Sequence, residues 1–168
     1  KLAGGPNDIT VVATDRSGNE GKATATPTWV ADRSIRIATA TEQQEGNRIE
    51  VPIEINSKGD VGGMGFVLNY NHSYLMDPEF TWSSVAGGSI NQVNTDVAGE
   101  LRGTFSLGGT SLPAGEQLVG TVSFRARSVP ETLETALGLQ DLAISDSTGN
   151  KLTSGTDVLS GQARVLVR

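Results

Sequence analysis

Apolar and polar residues alternate strictly over residues 48–55. Ile49, Val51, Ile53 and Ile55 fall on one face, with Arg48, Glu50, Pro52 and Glu54 on the other. A period of two is the mark of a half-buried β-strand. Beyond a Gly-rich turn the alternation returns with Met64, Phe66, Leu68 and Tyr70, and the stretch closes on the segment 71–75. This pair predicts the spine of a β-sandwich. Pro52 lacks an N–H and points outward, which predicts that its strand lies near a sheet edge.

The same pattern, in shorter pieces, runs along the rest of the chain. Residues 8–13 (DITVVA) and 21–28 (GKATATPT) predict two strands joined by a turn with Asp15, Ser17, Gly18 and Asn19, residue types that bond their own backbone or take positive φ. Residues 34–41 predict one strand with Ile35 and Ile37 inward. Residues 76–99 read as irregular, with short strands near 80–83 and 89–94, and residues 101–107 as a strand with Leu101, Phe105 and Leu107 inward. A Gly/Pro loop is expected at 108–117. The strand 118–127 places Leu118, Val122, Phe124 and Ala126 inward and Thr121, Ser123, Arg125 and Arg127 outward. Residues 129–136 suit a single helical turn, with Thr132 and Thr135 against it. Between 137 and 145 the apolar phase slips from Leu137 and Leu139 to Leu142 and Ile144, which predicts a β-bulge. A turn at 146–150 and a closing strand at 162–167 complete an all-β sandwich of about eight or nine strands.

Composition narrows the function more than the fold. Charged residues make up 19% of the 168 and the net charge is −6, which argues against a nucleic-acid partner. The absence of cysteine removes disulfides, thiolate metal sites and a Cys nucleophile. No apolar run approaches the ~20 residues of a membrane-spanning helix, and the first residues do not resemble a signal peptide. They read instead as the middle of a longer chain with a part upstream.

Two resemblances carry the functional expectation. Residues 8–28, NDITVVATDRSGNEGKATATPT with the preceding Asn7, resemble the last hairpin of a bacterial immunoglobulin-like domain. That assigns 1–33 to a partial immunoglobulin-like hairpin and linker, and 34–168 to the main domain. Within the latter, RIEVPIEINS, GGMGFVLNYNHSYL with its Tyr70, Asn71 and Leu75 corner, GEQLVGTVSFRAR, and DLAISDSTGNKL followed by SGQARVLV resemble, in order, strands of the cohesin modules of cellulosome scaffoldins. The resemblance implies a cohesin-like, jelly-roll-type sandwich that is non-catalytic, extracellular or at the cell surface, and binds a protein partner, a dockerin, on one sheet. Where family members typically place Asn and Asp on the outer face of the third strand, this chain has Gly63 and Gly65, and the position of an expected acid falls near Gly108. The expected partner face is Gly63, Gly65, Val67, Thr104, Ser106, Gly108, Val119 and Ser123.

Candidate chemistry is sparse. His72 is the one histidine, too few for a multi-His metal site. The turns at Asp15 and Asp146 hold oxygen ligands that suggest Ca²⁺, yet each has one carboxylate where a calcium loop uses several, so no cofactor is expected. Glu50 and Glu54 share an outer strand face without a cleft, and no G-x-S-x-G elbow occurs. No catalytic residue is assigned. Two rival readings remain: a surface-layer or filament subunit that self-associates through the unpaired edges of the N-terminal hairpin, and a carbohydrate-binding module with Trp29 and Trp82 as a stacking platform.

Overall fold

The computed structural model describes residues 5–6, 8–26, 28–29, 33–38, 40–43, 48–88, 90–127, 133–152, 156–159 and 161–165. The chain divides into two compact units, Lys1–Ala31 and Asp32–Arg168.

The first unit is a hairpin. Strands β2 (Ile9–Thr14) and β3 (Glu20–Ala25) pair antiparallel, and β1 (Gly5–Pro6) pairs with β4 (Thr28–Trp29) in the same register. Residues 8–26 are exposed on both faces. The turn is shaped by Asp15. Its Oδ1 accepts from the N–H groups of Ser17 (2.8 Å) and Asn19 (2.9 Å), and its Oδ2 accepts from Asn19 Nδ2.

The second unit contains two sheets. One runs β10 (Ile90–Asn94), β11 (Glu100–Ser106), β8 (Gly63–Asn69), β13 (Leu133–Ser145), β15 (Gly161–Val165), β6 (Ala40–Gln43). The other runs β14 (Thr156–Leu159), β5 (Arg33–Ile37), β7 (Arg48–Lys58), β12 (Ala114–Ala126), β9 (Leu75–Trp82). Ile49, Val51, Ile53 and Ile55 of β7 are fully buried, and Met64, Phe66 and Leu68 of β8 join them in one core. The alternating pattern therefore reports the inner faces faithfully. Aromatic rings tie the two sheets together. Trp82 of β9 stands edge-on to Phe105 of β11 (5.7 Å) and to Phe80 (4.7 Å), and Phe66 of β8 lies 5.7 Å from Phe80. Gly103 of β11 is required here, because a Cβ would sit 2.5 Å from the Phe66 ring.

Several expectations are corrected by the register. Pro52 is not near an edge: β7 lies between β5 and β12. Its carbonyl accepts from Ala38 N (2.9 Å), and N and C=O of one strand residue face the same side. The missing donor therefore falls where the β5–β7 ladder ends at Ile37–Ile53. The expected single strand 34–41 is two strands, β5 and β6, in different sheets. Residues 75–82 form one eight-residue strand rather than irregular chain, and β12 starts at Ala114, inside the expected loop. The described part of the suggested helical turn, 133–136, is strand; residues 128–132 and 166–168 lie outside the described residues. Strand β14 was not expected.

Three antiparallel ladders skip a residue, as does the parallel pairing of β15 with β6 between Ala163 and Val165. The anticipated bulge in β13 falls between Gln140 and Ala143, where it faces β8. A second lies in β12 between Leu118 and Gly120, and a third is on β9, which spends one residue more than β12 between Glu79 and Met76. The β12 bulge inverts the expected parity. Leu118, expected inside, is 41% exposed, whereas Val119 is fully buried. A one-residue insertion moves every preceding side chain to the other face.

Candidate protein interface

The outer face of β10, β11, β8 and β13 follows from which residues stand opposite one another. Since Met64, Phe66 and Leu68 point into the core, Gly63, Gly65, Val67 and Asn69 point out. Their cross-strand partners carry the face outward in rows. One row is Ile90, Ser106, Gly63, Ser145, extended by a bridge to Lys151. The next is Gln92, Thr104, Gly65, Ala143, and the third is Asn94, Arg102, Val67, Gln140. At strand spacings of ~4.8 Å the four strands span roughly 14 Å, slightly more than the ~10–12 Å width of an α-helix.

Five of the expected face residues are thus brought together: Gly63, Gly65, Val67, Thr104 and Ser106. Gly108 lies just past β11 in an exposed turn with φ 61°. Two residues do not join them. Val119 belongs to β12 of the opposite sheet and is fully buried, for the bulge reason given above. Ser123, also on β12, points out of that opposite sheet, where Arg48 Nε donates to its hydroxyl (2.9 Å). Gln92, Gln140, Ala143, Ser145 and Lys151 complete the face without having been anticipated. The β13 residues were hidden by the bulge that breaks their alternation. Strand β10 is exposed on both sides, so its sequence shows no alternation at all.

The middle of the face is small-sided and neutral. Gly63, Gly65, Thr104, Ser106, Ala143 and Ser145 floor a shallow depression of about 310 Å³, with Lys151 at its rim. Among the described residues Lys151 has no ion-pair partner. The charges Arg102 and Glu100 at the other end of β11 satisfy each other (2.8 Å). The two central glycines differ. A Cβ at Gly63 would be tight against Ser145 Oγ (3.0 Å) and the Phe105 carbonyl (3.1 Å). At Gly65 the nearest atom would be Thr104 Oγ1 at 3.8 Å, an ordinary contact. Gly65 also lacks positive φ, so neither backbone nor packing demands glycine there.

The turn beside this face repeats the hairpin turn of the first unit. Asp146 Oδ1 accepts from Thr148 N, Asn150 N and Thr148 Oγ1 (2.9, 2.9 and 2.8 Å), and Oδ2 accepts from Asn150 Nδ2 (3.0 Å). The side-chain bonds from Thr148 and Asn150, with the backbone bonds behind them, pull the Asp146 carboxyl down to about 2. In the twin turn the bonds from Asn19 likewise lower the Asp15 carboxyl below its ordinary value. Both carboxylates are thus occupied by donors of their own turns, and among the described residues no three His, Cys, Asp or Glu side chains cluster as metal ligands would. His72 sits exposed in the 70–75 corner, where Asn71 organises the chain by accepting from Ser73 N (3.0 Å). Trp82, offered above as half of a sugar platform, has its ring among Phe66, Phe80 and Phe105. Trp29's side chain is outside the described residues. No helix among them is long and apolar enough to cross a membrane.

Solved structures share this architecture at low identity. A non-cellulosomal cohesin from the hyperthermophilic archaeon Archaeoglobus fulgidus superposes with a TM-score of 0.68 at 23% identity, covering 81% of this chain and 92% of that one. The seventh ScaB type I cohesin from Pseudobacteroides cellulosolvens gives 0.69 at 19%, covering 81% and 93%. A chain of a type I cohesin–dockerin complex from Clostridium thermocellum gives 0.69 at 14%, covering 80% and 99%. No curated protein matches the chain. The cohesin domain model matches residues 34–165, most of the chain and the whole of the two-sheet core, and the protein therefore belongs to the cohesin family.

Proposed function

We propose that this cohesin domain is a non-catalytic protein–protein interaction module that works outside the cell or at its surface. It receives a dockerin-bearing protein on the outer face of β10, β11, β8 and β13. In the same reading residues 1–33 are the end of a separate immunoglobulin-like domain and 34–168 the binding module. The observation that carries the interface is Gly65. Glycine in a strand interior costs roughly 0.5–1 kcal/mol relative to alanine, and here neither φ nor packing requires it. A bare backbone in the middle of a central strand suits close approach by another chain, and its neutral surroundings suit recognition by shape. The partner in solved relatives, a dockerin in the Clostridium thermocellum complex, gives the class to try first.

Calorimetric titration with dockerin-bearing proteins from the same source tests the reading. A saturable one-to-one complex is expected. Gly65→Arg should weaken it by at least about tenfold, the effect of an unpaired charge on a desolvated contact. Thr81→Arg, which alters the outer face of the opposite sheet, should leave it unchanged. Equal binding by wild type and Gly65→Arg would move the interface elsewhere.

A further inference from the structure

Among the described residues strand β10 pairs with β11 alone and is the free edge of the six-stranded sheet. All five of its residues are exposed, with Ile90 at 60% and Val93 at 37%. Such an edge offers a row of unpaired N–H and C=O groups, and folded proteins ordinarily blunt it with proline, charge or a bulge. The edge of the other sheet, β9, carries all three: Pro78, the exposed charges Asp77 and Glu79, and a ladder skip at which Asp77 takes φ 48°. Strand β10 carries none. It has no proline, no charge and no positive φ, and it keeps unbroken register with β11 from Ile90 to Asn94. At its far end Asn94 Oδ1 accepts from Asp96 N (3.0 Å) and its amide donates to Asp96 Oδ2, so the strand stops where it should rather than fraying.

We propose that β10 is a docking edge for a second copy of this chain, which adds antiparallel about a two-fold axis at Gln92. In that arrangement the sequence Ile90-Asn91-Gln92-Val93-Asn94 opposes itself with no charge and no proline on either strand. Gln92 faces Gln92 of the second copy, and each carboxamide holds both a donor and an acceptor to exchange. Ile90 faces Asn94 of the second copy, and Asn91 faces its Val93. No like charges oppose each other, although the chain as a whole carries −6. Other extended segments would satisfy the same backbone groups, but a copy of β10 matches it in length, register and neutrality. The two-fold contact is isologous, so it closes at two copies and leaves neither β10 edge open. The pairing continues each six-stranded sheet into its neighbour.

Sedimentation velocity of the intact chain over a wide concentration range reads the proposal directly. The wild type should pass from monomer to dimer and no further. Gln92→Lys and Gln92→Glu each place two like charges face to face and should raise the dimer dissociation constant by at least about tenfold. Because residue 92 is exposed, both variants should keep the wild-type circular dichroism spectrum. Mixed in equal amounts, the two should recover a dimer that contains one of each. A wild type that stays monomeric, variants that associate like wild type, or a mixture that fails to re-form the dimer would each overturn the proposal. Association that survives both substitutions would assign self-contact to another surface, such as the hairpin.

Discussion

Asp77 and Asp141 are the two residues other than glycine with positive φ among the described residues, and both lie where a ladder skips a position. Aspartate tolerates the left-handed region better than most side chains, so a bulge can be held there without glycine. At Asp77 the skip also frees backbone carbonyls. Arg48 covers them, donating to the Asp77 carbonyl (2.7 Å), the Ser123 carbonyl (3.0 Å) and the Ser123 hydroxyl (2.9 Å), while Arg125 pairs with the Asp77 carboxylate. Asp146 shows a different use of the same residue type. Its carboxylate accepts four bonds within its turn, and its folded pKa of about 2 lies below the ordinary 3.8. A depressed folded pKa means that the contribution to stability is complete above about pH 3.8 and fades as pH falls toward 2. Thr148→Ala, which removes the largest cause of the shift, should bring the Asp146 carboxyl back toward 3.8 in an NMR titration and shrink that acid-side loss.

Individual strands show what the sequence can and cannot reveal. Where a strand is regular and one face is buried, as in β7 and β8, the apolar period identifies the inward residues and, by subtraction, the outward Gly63, Gly65 and Val67. Where a bulge intervenes, parity carries no information past it. Leu118 and Val119 are adjacent apolar residues, and only the pairing with β7 tells which of them the core receives. Leu118→Ser should therefore change stability by less than about 0.5 kcal/mol, while Val119→Ala should cost about 2 kcal/mol; urea denaturation of the two variants checks both. The candidate interface was half legible for the same reason. Its β8 and β11 residues follow from alternation, its β13 residues lie beyond a bulge, and its β10 residues face solvent on both sides and so have no pattern to read.

At the scale of the whole molecule, two sheets of unequal width share one core, and the rings of Phe66, Phe80, Trp82 and Phe105 fill its β9 side. Trp82→Ala should accordingly cost about 3 kcal/mol in chemical denaturation and leave any recognition of insoluble polysaccharide unaffected, the opposite of what a surface platform would show. The other end of each sheet is built differently. Strand β14 lies parallel to β5, with Val158 opposite Ile35, and β15 lies parallel to β6, with Ala163 opposite Ala40. Parallel neighbours cannot be joined by a hairpin, and these are among the most distant pairings in the chain. On a ribosome β5 and β6 are made early and must wait, with a side unpaired, until residues 156–165 have left the exit tunnel. Contacts so far apart in sequence form slowly, so the nascent domain has no finished half that can fold ahead of the rest. Its assembly is timed by the arrival of its last strands.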